Sequence, residues 1–171
     1  MPRTRSAAAQ KPARSAEPQD GFDADALALL REAGLTEELG FAIRMAELTV
    51  FADILERLSG LDITLSQFSV LRLVHAHPGL TQQRIGDALR IRKPNLVALI
   101  DKLETRGLVS RTGSATDGRA YALFLTAKGE RTLAKAMSAV GEHLQAIRDI
   151  LSPRDLERAL KALWDVALKL R

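Results

Sequence analysis

Along most of the chain, apolar residues recur three and four positions apart, the spacing that places them on one face of a helix. The first such run, Ala24 to Ala33, is closed by Gly34 and predicts a short helix. A longer helix is predicted from Thr36, a good N-cap with Glu37 and Glu38 in the first turn, to about Leu58. Leu39, Ile43, Ala46, Val50 and Ile54 form one stripe on it, and Phe41, Met45, Leu48, Phe51 and Leu55 populate most of the rest. A helix apolar nearly all round needs more than one packing partner, and in a chain this small a second subunit is a natural source of cover. Gly60 breaks the helix. Thr64 and Gln67 then have the spacing of a capping box for a helix through Phe68, Leu71 and Val74, which Pro78 and Gly79 end. Thr81 is positioned to cap a short helix, Gln82 to Leu89, with Ile85, Ala88 and Leu89 inward. After a turn at Arg90–Lys93, Pro94 takes a first helical position, Leu96, Leu99, Ile100 and Leu103 give a core face, and Gly107 closes the helix.

The period then changes. Leu108–Arg111 reads as a strand, Thr112–Gly118 is turn chemistry, and Arg119–Leu125 reads as the return strand of a hairpin. Helical spacing resumes after Thr126, with Leu133, Met137, Val140, Leu144, Ile147 and Leu151 on one face. Ser152, Pro153 and Asp155 mark a last helix start, and Leu156, Leu160, Leu163, Ala167 and Leu170 carry the stripe to the C-terminus. The predicted class is mainly α with a small β-hairpin. Its order of helix, short helix, turn, helix and hairpin is that of a winged helix-turn-helix.

Composition narrows the function classes. Apolar residues are 46% of the chain but aromatics only 4%, so the core is built mostly from Leu and Ala, good helix formers. With no cysteine and three histidines, a disulfide framework, a thiol sensor and a cysteine zinc site are excluded, and a protein-built metal site is not expected. No cofactor is implied. No run of about 18 apolar residues is present, nor the apolar segment of a signal peptide, so no membrane partner and a cytoplasmic location are expected. Residues 1–20, rich in Ala, Pro, Arg and Ser, are expected to be a disordered basic tail, with one domain over 21–171. The net charge of +4 matters less than its distribution: residues 21–80 carry 4 basic and 9 acidic side chains, whereas residues 81–119 carry 8 and 4. A basic segment beside an acidic one points to a directed polyanion-binding face.

That segment holds the candidate site. The second helix of a helix-turn-helix is held by its apolar face, while the other face is free to enter a major groove about 12 Å wide. Here the free face carries Arg92, Lys93, Asn95, Val97, Ala98 and Lys102. Asn pairs with adenine, Lys with guanine, and small apolar groups touch a thymine methyl. Thr81 and Gln82, at the start of the preceding helix, join the DNA-binding set. The run Leu96-Val-Ala-Leu-Ile-Asp-Lys-Leu-Glu-Thr-Arg-Gly-Leu-Val-Ser-Arg111 resembles the recognition helix and first wing strand of the MarR family of transcriptional regulators. The run Asp117-Gly-Arg-Ala-Tyr-Ala-Leu-Phe-Leu-Thr-Ala-Lys-Gly129 resembles its wing signature, and Thr81–Leu89 its preceding short helix. The resemblance covers roughly Glu38 to Leu170.

It implies a homodimer on a double-stranded, pseudopalindromic operator. The winged core would span about 62–126, and interlocking helices about 36–58 and 127–171. It also implies that Arg119 enters a minor groove and that Asp117 shapes the wing. Lys93 and Pro94 stand where many relatives have Ser or Thr, which bears on base preference and not on the fold. A small-molecule effector is common in the family, and candidate contacts are Arg44, Leu48, Leu71 and His75, although Glu47, three residues from Arg44, is a competing partner. No catalytic residue is assigned, since His75 and His77 do not face one another on a helix and have no obvious carboxylate partner. Alternatives are a winged helix used for protein contacts without an operator, and a constitutive repressor without a ligand.

Overall fold

The computed structural model describes residues 23–113 and 121–170, so the tail at 1–20 and the wing residues Asp117 and Arg119 lie outside the described residues. The chain divides into two compact units, Met1–Leu48 and Thr49–Arg171. In the first, α1 (Ala24–Glu32) is capped by Asp23, whose carboxylate accepts from the Ala26 amide at 2.6 Å. The N-cap expected at Thr36 does not form. Gly34, at φ +73°, turns the chain into a single 3-10 turn, Leu35–Glu37, and Glu38 is extended, so α2 (Leu39–Ser59) begins later than the sequence pattern predicts.

The second unit holds the end of α2 and the rest of the fold: α3 (Leu65–Ala76), β1 (Leu80–Thr81), α4 (Gln82–Leu89), α5 (Lys93–Thr105), β2 (Val109–Gly113), β3 (Tyr121–Leu125), α6 (Ala127–Ile150) and α7 (Pro153–Lys169). The capping box of α3 is complete, with Thr64 accepting from the Gln67 amide at 3.2 Å and Gln67 accepting from the Thr64 amide at 3.1 Å. The sheet is antiparallel in the order β1-β3-β2, with Leu80 opposite Leu123 and Val109 opposite Leu125. The hairpin was expected, but β1 was not. Thr81 both pairs with Ala122 and caps α4, so two residues serve a strand and a helix start together. β2 reaches Gly113, into the expected turn, because Thr112 and Gly113 find partners in Ala122 and Tyr121.

Leu58, Val70, Leu71, Val74, Ile85, Ile100, Leu103, Leu108, Val109, Leu123 and Leu133 are essentially sealed from solvent in one core. Ile85 faces inward as expected, whereas Ala88 is exposed. The entry into α6 locks onto the exit of α5: the Thr126 hydroxyl donates to the Gly107 carbonyl at 2.6 Å and accepts from the Gly129 amide at 3.0 Å, and the Thr126 amide donates to the Leu108 carbonyl at 3.1 Å. Among the described residues, no helix is long and apolar enough to cross a membrane.

A charged cluster ties the end of α2 to α6. The Asp53 carboxylate accepts from Arg57 Nε at 2.8 Å and contacts Nδ1 of His143, which is buried on α6, while Arg57 lies 3.5 Å from Glu142. The Arg57 hydrogen bond, and after it the one from His143, holds the Asp53 carboxyl at about 2 against an ordinary 3.8. A depressed carboxylate stabilises the fold above its unfolded value and loses that contribution as pH falls through its folded one. The melting-temperature gap between wild type and Asp53→Asn should therefore be present at neutral pH and close between 3.8 and about 2. The gap should be small, because Asp53 is more than a third exposed and solvent screens it. A gap constant down to pH 2, followed by thermal melts monitored by circular dichroism, would show that the cluster is not the source.

Candidate nucleic-acid interface

α4 and α5 form the helix-turn-helix, joined through Arg90 in a left-handed conformation (φ 52°) and Ile91, whose amide donates to the Gly86 carbonyl at 3.0 Å. α5 is pinned by Leu96, Ile100 and Leu103, all buried, with Leu99 partly so. Its N-terminus carries Pro94 in the first turn, where the missing N–H costs no helical bond. Arg92, Lys93, Asn95, Val97, Ala98 and Lys102 are all exposed: Asn95, Val97, Ala98 and Lys102 share the side of α5 opposite its buried stripe, and Arg92, the N-cap, and Lys93 stand at its N-terminal end. Thr81 and Gln82 lie half-buried at the start of α4.

The basic segment is not uniformly available. Arg106 donates to the Asp62 carbonyl and lies 3.3 Å from the Asp62 carboxylate. Arg111 is bound to Asp101 and Glu104 of α5, and Arg90 donates to the Ala167 carbonyl at 3.3 Å. Arg84, Arg92, Lys93 and Lys102 form no ion pair with any described residue. Among the described residues of the basic segment, the unpaired positive charge therefore sits on α4 and at the N-terminal end and exposed side of α5, and the N-terminus of α5 adds the positive end of its helix dipole.

The four residues named for an effector are placed as follows. Arg44 is exposed and bound to Glu47 at 2.8 Å, the competing partner expected from the spacing. Leu48 is half-exposed, and Leu71 is fully buried in the core with no accessible surface. His75 does have a carboxylate partner, contrary to the sequence expectation: Glu130 of α6 lies 2.9 Å from its Nδ1. Residues distant in sequence are invisible to a spacing argument. An open groove of about 670 Å³ behind α5, lined by Ser59, Asp62, Thr64, Lys102 and Arg106 among others, includes none of the four.

Sequence reasoning also passed over Arg111 and the Asp53–His143 contact. A signal for Arg111 existed. Two-residue alternation along β2 puts Arg111 on the same side as buried Val109, and a cation on an inward side needs carboxylate partners.

Fold and exposed cationic helix together define a winged helix-turn-helix protein. The MarR family model matches residues 61–120. A transcriptional repressor, CouR, solved bound to a 23-mer DNA duplex, superposes with a TM-score of 0.75 at 41% identity, covering 78% of this chain and 94% of that one. CouR bound to p-coumaroyl-CoA superposes at 0.73 with 39% identity, covering 80% and 96%. A protein of Thauera aromatica, assigned as a transcriptional regulatory protein for the hcr operon, is 30% identical over 115 residues, 67% of this chain and 69% of that protein. The transcriptional regulator HosA of Escherichia coli is 37% identical over 76 residues, 44% of this chain and 56% of its own length. The chain belongs to the MarR family of winged-helix transcriptional regulators.

Proposed function

We propose that the protein is a homodimeric repressor that binds a pseudopalindromic operator and is released by a small aromatic or amphipathic acid or its coenzyme A thioester. The observation that carries the DNA reading is the exposed side and N-terminal end of α5, where Arg92, Lys93 and Lys102 form no ion pair with any described residue and Asn95 is exposed, on a helix whose other side is buried. The similarity to CouR, a repressor solved on a DNA duplex, supports it. Arg119 is the proposed minor-groove contact and Asp117 its support, with residues 62–126 as the DNA-binding lobe.

Dimerisation is supported by apolar surface that a lone chain leaves in water. Leu160, Leu163, Trp164, Leu168 and Leu170 near the C-terminus are 46–79% exposed, and Phe51, Leu55, Met137 and Leu144 add to them. Monomers rarely leave so many large apolar side chains bare. A dimer on B-DNA would set its two α5 helices about 34 Å apart, or a multiple of that, to enter successive major grooves.

The effector class is supported by p-coumaroyl-CoA on CouR. A ligand that favours a lobe spacing unsuited to DNA should lower operator affinity roughly 5- to 150-fold.

Fluorescence anisotropy with operator fragments from the upstream DNA, across a salt titration, tests the reading. Affinity should fall by about 0.9 log units per phosphate contact for each log unit of salt. Salt-independent binding, or none to any fragment, would favour the protein-contact alternative. Asn95→Ala and Lys93→Ala should each relax selectivity at one base position by about 1–3 kcal/mol. An equal loss on all sequences, measured against a library of single-base operator variants, would reduce these residues to phosphate contacts.

A further inference from the structure

Arg111 stands on the first wing strand, inside the basic segment, and counting charges makes it a phosphate contact. Its surroundings say otherwise. The side chain is only 20% exposed. Nη1 donates to Glu104 Oε2 at 2.8 Å and Nη2 to Asp101 Oδ1 at 2.5 Å, so two carboxylates one helical turn apart on α5 grip the guanidinium. In the amide orientation that satisfies both groups, the Gln82 oxygen accepts from Arg111 Nε at 2.9 Å and Nη2 at 3.3 Å. All three guanidinium nitrogens are thus engaged, by α4 on one side and α5 on the other, from a residue on β2.

We propose that Arg111 is a positioning residue that sets the wing and the first residue of α4 relative to the recognition helix, and that it does not itself contact DNA. The consequence rests on the DNA-binding reading above. Three elements meet at one rigid planar fork, and the fork geometry suits a pair of carboxylates and an amide oxygen in a way that a flexible ammonium cannot match. The same contacts orient Gln82. With its oxygen occupied, its amide has only N–H donors left to offer, and donors are what a phosphate oxygen or a purine acceptor requires. Arg111 therefore fixes the polarity with which Gln82 meets a duplex. In isolation these partly exposed ion pairs add little stability, so their effect falls on geometry.

Arg111→Met, Arg111→Lys and the double variant Asp101→Asn with Glu104→Gln test the proposal in two independent measurements. Amide hydrogen exchange on the DNA-free protein should quicken at least about tenfold in Ser110–Gly113 and Tyr121–Phe124 for all three, with Val70–Val74 of α3 unchanged as the internal sign of an intact core. Operator affinity should fall at least about tenfold for Arg111→Met and for Arg111→Lys, with the salt slope of wild type retained. Restoration of exchange protection and affinity by Lys would overturn the proposal in favour of charge alone. A slope reduced by about 0.9 in Arg111→Met would make Arg111 a phosphate contact. Unchanged exchange in all three variants would refute the strut outright. If wild type binds no operator, the functional reading fails by itself, and the exchange experiment still decides whether Arg111 fixes the wing.

Discussion

Gly129→Ala should lower the melting temperature by roughly 6–12 °C, an effect out of proportion to one methyl group. Gly129 lies in the first turn of α6, buried where the helix crosses the base of the wing, and a Cβ there would sit 2.0 Å from the carbonyl oxygen of Leu108. The obstacle is backbone, and it cannot rotate away. The Leu108 carbonyl already accepts the Thr126 amide at 3.1 Å, and Thr126 caps α6 through the Gly129 amide at 3.0 Å. Relief requires moving the helix away from the strand, which breaks the cap and opens the core around Leu108 and Leu133. Overpacking costs about 1–3 kcal/mol where side chains can adjust. With backbone on one side, the upper end, about 3 kcal/mol, is expected, and each kcal/mol is worth roughly 2–4 °C in a chain of this size. Gly141→Ala on the same helix is the control. Nothing lies within 4 Å of its Cβ position, so the better helix propensity of Ala should stabilise the protein by up to about 1 kcal/mol. Thermal melts of both variants settle the matter, and a Gly129→Ala midpoint within 2 °C of wild type would show that α6 shifts at little cost.

Replacing Leu160 and Trp164 together with Glu should turn a dimer into a monomer. Both lie on α7, 52% and 63% exposed, on a helix with no buried residue of its own. Because little inside the described protomer depends on them, the substitutions should leave its core and helix content intact. In an interface, two carboxylates per protomer would instead be buried without partners, which association cannot tolerate. Light scattering should give about twice the 18.7 kDa chain mass for wild type and the single mass for the variant. Operator affinity should fall by roughly 10²- to 10⁴-fold as the two lobes lose their linkage. A variant that stays dimeric would move the interface away from α7, and a wild-type monomer would remove the dimer from the proposal.

Legibility in the sequence differs from residue to residue. Most of the exposed face of α5 was legible, since helical spacing alone separates Leu96, Ile100 and Leu103 from Asn95, Ala98 and Lys102; Lys93 shares the spacing of the buried stripe and is exposed where it begins the helix. The caps at Thr64, Thr81, Thr126 and Ser152 were legible for the same reason: each is a local bond between residues three apart. Gly129 was visible only as part of a motif, because its role depends on how near Leu108 comes, a residue on another element.

What the sequence determined by itself is the class of fold, the helix, short helix, turn, helix and hairpin order, the buried faces of α3 and α5, and the family. These follow from periodicity and capping, which act over one or two helical turns. The stripes expected on α6 and α7 are in large part exposed, at Met137, Leu144, Leu160 and Leu163. Tertiary structure alone decided the rest. It showed that Leu80–Thr81 pairs with β3 and that His75 meets Glu130. It placed His143 on Asp53, and it showed that a cation in the basic segment, Arg111, is spent on Asp101, Glu104 and Gln82. The physical reason is common to all four. Hydrogen bonds and ion pairs reach about 3 Å, and which distant groups come within that range is set by the packing of whole elements, which local pattern does not encode.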